Sequence, residues 1–233
     1  MKEEDKLLKL QNKLQYIFTD LNLLKIALTH KSYAYEKKEI DPTMYNERLE
    51  YLGDAILEHI VSEILFNHTP ALSEGDMTKK RANIVCEKTL ASAFRDIGGE
   101  QYIYLGKCEK TTNGQMKDAI LCDMFESVIG AVYIDGGYDM ARVVAIDLLQ
   151  SYITNTLQGK ELVEDYKTIL QEKLQINGNV KIEYILINQY GPDHDKTFSI
   201  DLLLNDKKIG EGIGKSKKSA EQEAAKNALK KIV

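Results

Sequence analysis

The run NERLEYLGDAILEHI at residues 46–60 constrains the fold more than any other stretch. At about 100° of turn per residue, Glu47, Glu50, Asp54 and Glu58 fall within roughly 80° of arc, and Leu49, Leu52, Ile56 and Ile60 fall opposite. The spacing predicts a helix with a buried apolar stripe and a line of carboxylates. A solvated acidic face would be an ordinary outcome, yet like charges three or four residues apart repel one another. Gly53 beside Asp54 costs about 1 kcal/mol of helix propensity, which implies that something approaches the backbone closely there.

A second run, ILCDMFESVIGAVYIDGG at residues 120–137, sets Asp123 and Glu126 three apart on one face of another helix. Leu121, Met124, Phe125, Val128 and Ile129 surround them in sequence, and acids in such company are costly unless paired or bound to a cation. Gly130 and Ala131 are small enough to admit a neighbouring helix. Two helices that each present a carboxylate pair can form an all-oxygen site for a hard cation such as Mg²⁺, which takes carboxylates together with waters and substrate phosphates. Spacing alone leaves a wet helix edge as the alternative.

Helical periodicity also covers 21–33, 45–67, 79–97, 116–134 and 140–157, with a glycine-containing stretch at 98–114. The three prolines, at 42, 70 and 192, interrupt none of these patterns. No apolar periodicity crosses 158–164, so the domain junction is placed there, between domains at 1–158 and 162–233. The tail reads as a helix at 166–174, strands at 180–189, 197–204 and 207–212, and a helix at 217–232. In that last helix Ala220, Ala224, Ala228 and Ile232 recur every fourth residue. The expected fold class is an all-α domain followed by a small α+β domain of order α-β-β-β-α.

Charge separates the two halves. The chain carries −5 overall, but residues 160–233 hold 13 Lys and 12 acids, whereas the first 159 residues hold 18 basic and 24 acidic side chains. Acids collected in one place for a cation would explain that imbalance, since a bound ion inverts the local field. Cys86, Cys108 and Cys122 lack CxxC spacing, which argues against structural zinc and a disulfide scaffold and for a reducing, cytoplasmic compartment. The charged start MKEEDKLLKLQNKLQY has no signal-peptide core, and no apolar run approaches the roughly 20 residues of a membrane span.

Lys215, Lys217 and Lys218 stand where the last helix begins, and a helix N-terminus already favours anions. They read as a phosphate clamp, with Gly212 and Gly214 allowing a tight approach. Double-stranded RNA is gripped through its phosphates and the 2′-hydroxyls of successive minor grooves. Thr168, Gln171 and Glu172 on the first tail helix suit one minor groove, and the 191–194 loop with His194 suits the next.

These residues together resemble bacterial ribonuclease III. NERLEYLGDAIL is similar to that family's signature, with Tyr51 where phenylalanine is common; ALTHKSY at 27–33 and the run from Asp123 to Gly137 match two further motifs. Residues 165–232 resemble its double-stranded RNA-binding domain. The resemblance implies a homodimeric endoribonuclease that uses Mg²⁺, with Mn²⁺ as a substitute, to hydrolyse double-stranded RNA, leaving a 5′-phosphate, a 3′-hydroxyl and a short 3′ overhang. Ribosomal RNA precursors and structured messenger RNAs are the implied substrates. It assigns the metal site to Glu50, Asp54, Asp123 and Glu126, with Asp54 and Glu126 catalytic. Glu47 and Glu74 are given supporting or interface roles, and Thr29 and His30 are expected to pack and cap. Cys122 and Cys108 replace a common alanine and glycine, Glu221 replaces a lysine found in many such modules, and Lys117 is the best cation left in an arginine-poor 113–117 stretch. A binding protein that keeps the fold without cutting is the alternative, and a DNA nuclease fits the tail less well.

Overall fold

The computed structural model describes residues 3–38, 41–159, 166–175, 180–191 and 196–232. The chain divides into two compact units, Met1–Val163 and Glu164–Val233. Among the described residues the first unit is helical: α1 (Glu3–Leu14), α2 (Leu21–Ala27), α3 (Lys31–Glu36), α4 (Glu47–Phe66), α5 (Glu74–Ile84), α6 (Glu87–Asp96), α7 (Lys107–Thr111) and α8 (Asp118–Leu157).

Several elements differ from the periodicity. The expected 21–33 helix is two helices. Thr29 leaves the first to bridge Tyr104, and His30 restarts the second as its N-cap, with Nδ1 accepting from the Ser32 N–H at 3.2 Å. The expected 79–97 helix breaks at Cys86, whose extended backbone (φ −74°, ψ 152°) caps α6. Residues 116–134 and 140–157 run on as α8, bent at Gly137, whose φ of 79° suits only glycine without strain. No helix is expected at 3–14, where charge hides a three-leucine stripe, yet Leu7, Leu10 and Leu14 bury one side of α1.

The buried face of α4 consists of Gly53, Leu57, Ile60, Val61 and Leu65. Leu49, Leu52 and Ile56, expected to lead it, lie at its margin and are only partly buried. That face packs on the first half of α8, where Leu121, Met124, Phe125, Val128 and Ile129 are buried. Full burial of one such side chain stabilises the fold by about 1.5–3 kcal/mol. The two helices meet backbone to backbone. A methyl group on Gly53 would collide with the Glu126 carbonyl oxygen, and one on Gly130 with that of Leu49. Glycine at these positions is therefore a packing requirement, as the propensity penalty at Gly53 implies.

The second unit has the expected order: α9 (Tyr166–Gln175), β1 (Ile182–Tyr190), β2 (Thr197–Leu204), β3 (Lys207–Gly214) and α10 (Lys217–Ile232). The antiparallel sheet runs β1-β2-β3. Asn205 and Asp206, both at positive φ (48° and 64°), turn β2 into β3 as a two-residue hairpin requires. Leu170, Ile200, Leu202, Ala220, Ala224, Ala225 and Ala228 form the buried core of this unit. Gly212 and Gly214 serve a different end from the one their position suggests. A methyl on Gly212 would strike the Ala220 carbonyl, and one on Gly214 would strike Ser219, so both let β3 lie against α10.

Gly53→Ala should destabilise the chain by about 1–3 kcal/mol through overpacking, read as a lower urea midpoint. An unchanged midpoint would show that the α4–α8 contact is looser than described.

Candidate metal centre and RNA-binding surface

Glu50 on α4 and Asp123 and Glu126 on α8 converge across the glycine crossing. One carboxylate oxygen from each lies within 4.8 Å of the others. All three are partly buried. Burial, then the nearby Asp123 and Glu47, push the Glu50 carboxyl up to about 7. Burial also raises Glu126 to about 7, reinforced by Asp54, Glu50 and Asp123. Asp123 is raised as well, by burial and then Glu87. Three carboxyls held above their ordinary range by desolvation and mutual repulsion can bind a divalent cation, which compensates both penalties at once.

Asp54 lies outside this close trio. Its side chain is exposed, although its charge is felt at Glu126 and Glu50. Glu47 is tied to Lys31 in an ion pair of 2.7 Å. Glu58 stays exposed further along α4. Glu74 sits in the first turn of α5 behind the Ser73 cap and lines a groove of about 510 Å³ with His59, Phe66, Met77 and Arg81. His30 and Thr29 pack and cap: Thr29 Oγ1 donates to the Lys25 carbonyl at 2.7 Å, and burial lowers the pKa of His30.

Two residues at the centre escape sequence reasoning. Asn46 precedes α4 as a standard capping residue would, but its side chain makes no capping bond. Its amide nitrogen instead donates to Glu50 Oε2 at 3.3 Å, while its buried Oδ1 has no partner among the described residues. Cys122, which reads as an inert substitution, places its Sγ 3.5 Å from Glu126 Oε1. Burial and then the Glu126 charge push that thiol up. Both contacts join residues four apart in sequence; it is the α4–α8 crossing that brings the two pairs to one place, with Glu50 within 4.8 Å of Asp123 and Glu126.

In the second unit Lys215, Lys217 and Lys218 are exposed around the start of α10, where Ser216 and Ser219 cap one another reciprocally: Ser219 N–H to Ser216 Oγ at 3.1 Å, Ser216 N–H to Ser219 Oγ at 3.0 Å. Gln171 is exposed on α9. The side chains of Thr168 and Glu172, and the whole of His194, lie outside the described residues. Glu221, one turn into α10, pairs with Lys167 of α9 at 2.6 Å, so the acid in place of a third lysine fastens the two helices together.

Residues 20–153 match the ribonuclease-III-like family, and residues 166–232 match the double-stranded RNA binding motif. Over 98% of its length the chain is 43% identical to ribonuclease 3 of Pelotomaculum thermopropionicum, covering 94% of that protein. The chain belongs to the bacterial ribonuclease III family. It is also 47% identical to ribonuclease 3 of Streptococcus pneumoniae, over 99% of this chain and 97% of that protein. The solved nuclease domain of Campylobacter jejuni ribonuclease III superposes with a TM-score of 0.56 at 38% identity, covering 62% of this chain and 93% of that one. As a ribonuclease III the protein is an endoribonuclease of double-stranded RNA, and processing of ribosomal and messenger RNA comes with that membership. Among the described residues no helix is long and apolar enough to cross a membrane.

The raised carboxyls fix a pH response. The folded chain holds protons on Glu50 and Glu126 up to about 7, where the unfolded chain has lost them from near 4.5. Cation-free stability therefore falls as pH rises through this window. Added Mg²⁺ should raise the melting temperature more at pH 8 than at pH 5, as read by thermal unfolding. An equal shift at both pH values would contradict the assignment.

Proposed function

We propose that Glu50, Asp54, Asp123 and Glu126 hold Mg²⁺, or Mn²⁺ in its place, and that the chain cuts both strands of duplex RNA as a homodimer. The observation that carries this reading is the carboxylate trio across the α4–α8 crossing, in a chain that also bears an RNA-binding motif. The residues fit the ion. Mg²⁺ would take oxygen ligands, carboxylates among them, and three carboxylates here each bring an oxygen to within 4.8 Å of the other two. The buried, unpartnered Oδ1 of Asn46 adds an acceptor for water around the ion.

A cation in this place supplies an activated water and countercharge for the phosphate under attack. The protein's own part is to position and to exclude. Glu50 and Glu126 are set by the helix contact, Asn46 steadies Glu50 through its amide, and exposed Asp54 faces the solvent side from which RNA arrives. Glu47, held by Lys31, and Glu74 support the site or its interface. Tyr51 and Phe66, 83% and 74% exposed on α4, provide apolar surface for a second copy. One solved Campylobacter jejuni relative is described by flexibility in a region involved in dimer formation, which supports the same reading. Residues 1–158 form the catalytic and dimerisation domain, and residues 162–233 the RNA-binding domain. Thr168, Gln171, Glu172 and His194 meet successive minor grooves, and Lys215, Lys217 and Lys218 the phosphates between them. The reading places the enzyme in the cytoplasm, in keeping with its three free cysteines.

The test is cleavage of a perfectly paired RNA with and without Mg²⁺, by the native chain and by Glu126→Gln. Cutting should require the ion and fall about 100-fold or more in the variant, with duplex binding retained. Binding without cutting by the native protein would leave a non-cutting RNA-binding protein instead.

A further inference from the structure

Away from the acids, Asn22, Lys25, Ile26, Thr29, Tyr33 and Lys37, with Met44, enclose a cavity of about 330 Å³ between α2 and α3. We propose that this cavity is a phosphate-binding site of the catalytic unit and takes a backbone phosphate of the RNA beside the cut. The inference rests on the duplex-RNA reading above.

The lining carries two ammonium groups, a side-chain amide and a phenol, all able to donate hydrogen bonds, and among the described residues it includes no carboxylate. A phosphodiester offers only acceptor oxygens and one negative charge, which this set complements. One of the two cations has an aromatic neighbour: Lys37 Nζ stands 5.6 Å from the centroid of the Tyr33 ring, which itself leans on Tyr104 at 5.6 Å between centroids. A cation held over an aromatic face keeps its charge aimed with less rotamer freedom to lose on binding. Ile26 and Met44, the latter 40% exposed, supply an apolar wall on which a ribose can rest.

Position favours the RNA backbone over a free anion. Thr29 and Tyr33 flank Lys31 in sequence, and the Lys31 ammonium lies 2.7 Å from Glu47, one helical turn before Glu50. Two residues of chain, a lysine side chain and one turn of helix put the cavity on the order of 20 Å or less from the carboxylate trio, a few nucleotides along a strand. The first unit is otherwise acidic, so a local basic cavity on the approach to the acids lowers the repulsion that a polyanion meets there.

The test uses full-length protein with the divalent ions chelated, so that binding is read without cutting. Lys25→Gln/Lys37→Gln is compared with the native chain and with Lys217→Gln/Lys218→Gln in the tail. A fluorescent blunt RNA duplex and inorganic phosphate are titrated separately, over a range of salt. The cavity variant should bind the duplex about three- to tenfold more weakly, with the slope of log affinity against log salt shallower by about 1. Unchanged affinity and slope, while the tail variant is weakened, would overturn the proposal. So would loss of inorganic phosphate binding with duplex binding intact, which would assign the cavity to a free anion. If the native chain fails to bind the duplex at all, the RNA reading itself falls. Lys25→Arg/Lys37→Arg, which keeps the charge, should restore the salt slope; a slope that stays shallow in this variant would also count against a phosphate contact.

Discussion

The backbones of α4 and α8 touch where Gly53 meets the Glu126 carbonyl and Gly130 meets that of Leu49. Helices carrying ordinary side chains keep their axes about 8–10 Å apart. Removing two β-carbons at one crossing lets the axes approach more closely. Glu50 and Asp54 flank one glycine, and Asp123 and Glu126 precede the other by one to two turns. The apolar core on the far side of the crossing, with Leu57, Ile60, Phe125 and Val128, holds the helices at that separation.

This closeness sets up an electrostatic conflict that the rest of the fold must outweigh. Collecting half-buried carboxylates raises their proton affinity and weakens the cation-free state at neutral pH. The surrounding structure limits the conflict locally. Lys31 neutralises Glu47, and the Asn46 amide satisfies one oxygen of Glu50. The second unit needs no such compensation. Its small alanine-faced core and glycine-bearing β3 settle α10 against the sheet and leave the lysines at the helix start exposed.

Much of this was legible in the sequence because it is local or periodic. The α-β-β-β-α tail follows from alternation and the four-residue alanine repeat, and the Gly53 anomaly points to a close approach at the right residue. What could not be read depends on tertiary contacts or on local side-chain choices that apolar periodicity does not carry. The breaks at Thr29 and Cys86 arise from a bridge to Tyr104 and a local capping arrangement, neither of which interrupts apolar periodicity. Asn46 gives the signal of a helix cap and acts on Glu50 instead. Among the four acids chosen from spacing and resemblance, three form the close cluster while Asp54 turns outward, a distinction of helix rotation that the 80° arc is too coarse to make.

The most direct measurement is Mn²⁺ binding by electron paramagnetic resonance to the native chain and to Gly130→Ala, with folding of both checked by circular dichroism. The variant keeps every carboxylate and alters only the helix separation. If the glycine crossing creates the metal centre, a folded Gly130→Ala chain should bind Mn²⁺ at least about tenfold more weakly, a loss of about 1.4 kcal/mol. Undiminished Mn²⁺ affinity in the folded variant would show that the carboxylates find the ion without the crossing.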